Sequence, residues 1–149
     1  MVSQIRSADA HTCGLDEPAR VALRQRCPFI AQGVCVIYSV RPLACRGHAS
    51  HDARACIDAV AGRRSEPVPC SQGHLMVRSL VQNALQSALR DAALPWGLYE
   101  FNQALLMALD HPATEAAWLA GEDVFAPAAL NDVSAAEMAQ VYEALKTEA

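Results

Sequence analysis

Features common in other proteins are missing from this chain, and each absence removes a class of function. No uninterrupted apolar run approaches the ~18 residues that suggest a membrane-spanning helix, so no membrane association is expected. The stretch Met1–Ala10 is polar and lacks the apolar centre of a secretion signal. A soluble, cytoplasmic protein is expected, in a compartment where disulfides rarely persist. Lysine is nearly absent: Lys146 stands alone beside 11 arginines. Aromatic residues make up only 5% of the chain, so Arg20, Arg24 and Arg26 lack the interleaved rings of a nucleic-acid face, and the Arg20–Arg24 pair reads as solvated helix surface. There is no phosphate-cradling glycine loop, no dinucleotide fingerprint and no GxSxG elbow. No two cysteines form a CxxC pair, and neither a repeat nor a low-complexity tract is present.

What is present argues for a packed core. Hydrophobic residues reach 52% against 19% charged, and 149 residues suit a single domain spanning 1–149. Charge is divided unevenly. Residues 1–78 carry ten Arg against six acids, whereas residues 79–149 carry only Arg90 and Lys146 against ten acids. The acidic half, with its charges spread over helix faces, offers a surface to a protein partner. The basic half also holds the cysteines, where Arg41 and Arg46 can offset thiolate charge.

The spacing of apolar and breaker residues predicts a mainly α protein. An irregular cysteine-rich N-terminal half is expected to pack on a C-terminal array of four to five helices. Residues 1–15 carry no periodic signal. Asp16 can cap a short helix with Pro18 in its first turn, ending before Pro28. Val34–Val40 is the one β-like run, read as an extended segment or hairpin arm, with Gly33 as a turn. His51–Ala61 reads as a helix stopped by Gly62. From Gln72 to Leu94 a wide stripe of Leu75, Met76, Leu80, Val81, Ala84, Leu85, Ala88 and Leu89 predicts a long helix with a buried face, ended by Pro95. Further helices follow over Leu98–Leu109 and from His111-Pro112 to Gly121. A last helix opens with a Ser134/Glu137 capping box and a Val133/Met138 staple, with Val141, Tyr142 and Leu145 on the same face.

The chemistry concentrates between Cys27 and Cys56. Cys27, Cys35, Cys45 and Cys56 fall within 30 residues. Four thiolates are soft ligands that suit Zn²⁺ or an iron–sulfur cluster, and Gly33, Pro42 and Gly47 give the chain places to fold back. Spacing alone leaves a metal site and scattered buried thiols as alternatives. Cys13 and Cys70 lie outside the cluster, and His48 and His51 between its last two cysteines are candidate substitutes. His74 and His111 read as helix-terminus residues. Nothing singles out a Cys–His nucleophile pair.

The elements Cys27-Pro28-Phe29-Ile30, Gly33-Val34-Cys35-Val36-Ile37-Tyr38, Arg41-Pro42-Leu43-Ala44-Cys45-Arg46 and Cys56 together resemble the YkgJ-like cysteine-cluster family. These proteins are described as zinc- or iron-chelating domains. The likeness is specific across residues 27–56 and looser through the helices to Trp118–Glu122. Such proteins usually open with a tight CxxCxxCC-like cluster, whereas only Cys13 precedes Cys27 here. The resemblance implies chelation of Zn²⁺ or of iron, alone or as an iron–sulfur cluster, by Cys27, Cys35, Cys45 and Cys56. It supplies no reaction. The expectation is thus a cytoplasmic metal-binding protein. The alternatives are an iron–sulfur-dependent modifying enzyme, such as a protein methylase-like factor, or a metal-free helical interaction module.

Overall fold

Helix α1, Val2–Thr12, buries Ile5 and Ala8 and is the first departure from the sequence reading. Two apolar positions three residues apart are enough to seat one face, yet too few to register as periodicity. Ile5 is wholly inaccessible and is the largest fully buried side chain among the described residues. In this computed structural model the described residues are 1–47, 49–61, 63–64 and 66–130, together with Ala139 and Glu143. Of Glu17, Pro18, Val21 and Val60 only the backbone is described. The expected helix with its Ser134/Glu137 cap, the Gly62 stop and His48 lie outside the described residues.

Chain contacts divide the protein into two compact units, one of Met1 and Ser3–Leu80, the other of Val2 and Val81–Ala149. In the first unit, helix α2 (Glu17–Ala22) begins as predicted, Asp16 Oδ1 accepting the Ala19 N–H at 2.8 Å. A short antiparallel hairpin then pairs β1 (Ile30–Ala31) with β2 (Val34–Cys35) in the register Ile30↔Cys35 and Ala31↔Val34. Its two loop residues, Gln32 and Gly33, both carry positive φ (51° and 80°). That is the backbone of the tight turns whose twist matches paired strands. The β-like run thus splits: its start is a strand, and Tyr38–Val40 tightens into a 3-10 turn.

Helix α3 (Leu43–Arg46) follows Pro42, which cannot continue a strand and suits a helix start. Helix α4 (Ala53–Val60) is capped by Asp52, whose Oδ1 accepts the Ala55 N–H at 2.9 Å. Phe29 and Ala55, at 4% and 3% exposure, join Ile5 and Ala8 as the apolar residues this unit buries. A backbone bridge ties Ser50 to Cys70. His74, in the first turn of helix α5 (Gln72–Asp91), places Nε2 3.2 Å from the Arg46 carbonyl. Gly47, at the end of α3, meets the stem of Arg78 so closely that no side chain fits between them.

The periodicity of α5 correctly predicts its helix, but not the fate of its stripe. None of its residues is buried, and Met76, Val77, Leu80, Val81 and Leu85 are 47–73% exposed. Most of the expected core face is exposed, with Leu75 and Leu89 half-buried. Period establishes that apolar residues share a side of the helix; it cannot establish that anything covers them. The helix ends before Pro95, closed by Ala93 in the left-handed region (φ 57°) and by the bond from Leu94 N–H to the Leu89 carbonyl.

In the second unit, Gln86 grips Gly97 at both backbone groups, accepting its N–H at 2.7 Å and donating to its carbonyl at 2.9 Å. Helix α6 (Phe101–Asp110) is capped by the buried Glu100, whose carboxylate accepts the Gln103 N–H. Residues 98–100 pair with 128–130 through Glu100 N–H to Ala128 O (2.7 Å) and Leu130 N–H to Leu98 O (2.8 Å). Helix α7 (Thr114–Leu119) and the 3-10 turn Ala126–Ala128 both pack on α6, around Leu106 and Ala128. Mainly α is therefore the observed class. Among the described residues no helix is long and apolar enough to cross a membrane.

Candidate metal centre

The four cysteines expected to act together are placed by three local structures. Cys27 opens a turn, its carbonyl accepting the Ile30 N–H at 3.1 Å, and Ile30 lies directly across the hairpin from Cys35. Turn and strand pairing together set these two cysteines on the same small loop. Cys45 sits within α3, ten residues further on. Cys56 lies on α4, away from the hairpin in sequence. All six cysteines of the chain are thiols; Cys27 and Cys45 are exposed, Cys35 and Cys56 half-buried.

Electrostatics link three of the four. The Cys45 thiol is pushed above its ordinary pKa first by partial burial, then by the neighbouring thiols of Cys27 and Cys35, while Arg41 pulls it down. Cys27, Cys35 and Cys45 therefore share one neighbourhood, with a guanidinium on its edge. Cys56 is not among the groups that move Cys45. It instead borders a shallow apolar hollow with Ile57, Ala61 and Arg63. Cys27 also lines a cavity of about 300 Å³ together with Gln4, Ser7 and Arg26. Among the described residues, no three His, Cys, Asp or Glu side chains are disposed to hold one ion as they stand. The donor chemistry suits a thiophilic metal, but the observed rotamers do not form a closed ligand shell.

The two arginines expected to offset thiolate charge divide their work. Arg41 acts on Cys45 and stacks on Tyr38, its guanidinium carbon 4.0 Å from the ring centroid. Arg46 is turned to the backbone, donating from Nε to the Arg41 carbonyl at 3.1 Å and from Nη2 to the Ser39 carbonyl at 2.8 Å. Sequence reading missed this Tyr38–Arg41 stack, although their three-residue spacing across a tight turn was visible. Of the secondary candidates, Cys13 ends α1, its N–H bonded to the Asp9 carbonyl, and Cys70 is held by the bridge to Ser50. His51 is exposed beside the α4 cap. His111 ends α6, and its carbonyl accepts both the N–H and the Oγ1–H of Thr114.

Comparison with protein-family models, with curated proteins and with solved structures returned no match.

Proposed function

We propose that this protein binds a thiophilic metal, Zn²⁺ or iron alone or in an iron–sulfur cluster, through Cys27, Cys35 and Cys45, with Cys56 as the fourth ligand. The observation that carries the reading is the turn and hairpin that hold Cys27 and Cys35 on one loop, and the electrostatic influence of both thiols and of Arg41 on Cys45 supports it. Three negative thiolates around a dication leave net negative charge, which an adjacent guanidinium lowers. The cysteine-cluster family resemblance across residues 27–56 supports the same assignment. In this reading the irregular cysteine-rich N-terminal half chelates, and the helices of the C-terminal half serve as its support. A cytoplasmic location, where thiols stay reduced, suits such a site.

Protein purified without oxygen should carry about one equivalent of zinc, or iron with visible charge-transfer absorption. Cys35→Ser and Cys45→Ser should each remove most of that metal. Metal-free protein whose melting and thiol reactivity are indifferent to added zinc or iron would rule out the assignment.

A further inference from the structure

A separate cavity lies in the second unit, far from the cysteines in sequence. It occupies about 370 Å³ between the end of α6, helix α7 and the turn that follows. That volume falls within the range of small-molecule sites. Trp118, Phe125, Ala108 and Pro112 contribute the apolar part of its wall, and Glu115 and His111 the ionisable groups. Glu115 and Trp118 are three residues apart on α7 and so share a helix face. Phe125 is fixed by an edge contact with Tyr99, ring centroids 5.9 Å apart at 61°. The Tyr99 hydroxyl in turn donates to Asp123 at 3.1 Å. The wall is thus held in place before anything enters.

Charge decides what should enter. Residues 91–130 hold six acids and not one Lys or Arg. Among the described residues, no ion pair engages Glu115. Thr114 Oγ1–H is already committed to the His111 carbonyl at 2.7 Å, which leaves the Glu115 carboxylate and the His111 ring as the ionisable groups of the lining, Glu115 alone carrying negative charge. An anion would meet Glu115 and the negative field of the surrounding acids. A neutral apolar molecule would cover the rings but leave the carboxylate without a counter-charge. A cation with a greasy exterior satisfies both, since ring faces attract positive charge and the carboxylate neutralises it.

We propose that this cavity binds a small organic cation of the quaternary-ammonium type, held between Trp118 and Phe125 with Glu115 as its counter-charge. The site is independent of the thiol cluster. Calorimetric titration of the full chain with choline chloride tests it, with 3,3-dimethylbutan-1-ol as the uncharged molecule of the same shape. Choline should bind about tenfold or more tightly than the alcohol, the increment expected for a cation between rings and a carboxylate. Backbone amide shifts on choline addition should centre on residues 108–125. Glu115→Gln, a change at an exposed position, should bring the two ligands to within about threefold of each other while circular dichroism stays unchanged. Choline that fails to bind, binds no better than the alcohol, shifts amides elsewhere, or keeps its full preference in Glu115→Gln would each overturn the assignment.

Discussion

Replacing Gly47 by alanine sets two effects of known sign against each other. The residue ends α3 in right-handed helical geometry, φ −81° and ψ −4°, which alanine adopts without strain. On backbone grounds alone the substitution should stabilise by roughly 0.4–1 kcal/mol, because it restricts the unfolded chain. The space says otherwise. A β-carbon at position 47 would lie 1.9 Å from Arg78 Cδ, 2.4 Å from Cγ and 3.1 Å from Cβ. The first two contacts can be relieved by rotating the arginine stem, but the third is anchored to the backbone of α5. Overpacking of this kind costs roughly 1–3 kcal/mol, which exceeds the entropic gain. A net loss of about 1–2 kcal/mol is expected in urea denaturation, with a fall in Tm of several degrees for a chain of this size. In an Arg78→Ala background only the contact with Cβ survives, so the same glycine substitution should cost less, giving a favourable coupling in the double-mutant cycle. A Gly47→Ala protein as stable as the parent, or more so, would refute the close approach of these residues.

Four further outcomes follow from particular contacts. Asp52→Ala removes the acceptor of the Ala55 N–H, and should cost about 1 kcal/mol in urea denaturation. Ala93→Gly relieves a left-handed alanine (φ 57°) and should raise stability by roughly 0.5 kcal/mol, the strain removed slightly exceeding the added chain entropy. Tyr99 is pushed up to about 12, chiefly by burial and further by the charge and hydrogen bond of Asp123. A phenol whose folded pKa exceeds its unfolded value near 10 contributes stability that is complete below pH 10 and is lost as pH rises towards 12. Asp123→Asn should lower the Tyr99 midpoint in an ultraviolet titration but leave it above 10, since burial remains; Tyr99→Phe assigns the transition. In metal-free protein, Cys45 should alkylate more slowly at pH 8 than an ordinary thiol. Mass spectrometry should show it faster in Cys27→Ser and Cys35→Ser, and slower in Arg41→Gln.

Helices announced by caps and periodicity were legible, and those held by context were not. Asp16 and Pro18 mark α2, Pro95 bounds α5, and the four-residue spacing of Phe101, Leu105 and Leu109 marks α6. Helix α1 escaped because its apolar face amounts to Ile5 and Ala8. The first strand of the hairpin escaped because Ile30-Ala31 is too short to show alternation; only pairing with Val34-Cys35 defines it. Exposure on α5 was illegible for a different reason: a periodic stripe records a preference for burial, not a partner. Within the candidate centre, the turn residues between Cys27 and Cys45 were visible, but spacing alone left a shared site and scattered thiols as alternatives. Assigning Arg46 to the backbone was not, since the bonds to Ser39 and Arg41 exist only once the 3-10 turn has formed. The cavity beside Trp118 left a compositional trace, the absence of Lys and Arg over residues 91–130, but no motif.

Those same bonds have a kinetic and thermodynamic consequence for the segment between Cys35 and Cys45. The turn at Tyr38–Val40, the ring stacked under Arg41 and the two carbonyls gripped by Arg46 fix its path. Joining the ends of a slack loop of ~10 residues costs about 2 kcal/mol of chain entropy. Here that ordering is completed when the protein folds. Any agent that bridges the two sulfurs, a metal ion or an oxidant alike, meets a connecting segment already ordered at Tyr38–Val40 and Arg46, so less of that cost remains when the ring closes. The advantage is worth up to about 30-fold in the equilibrium constant. Loosening the ring at Arg46, without touching a sulfur, should therefore weaken capture mainly through faster release.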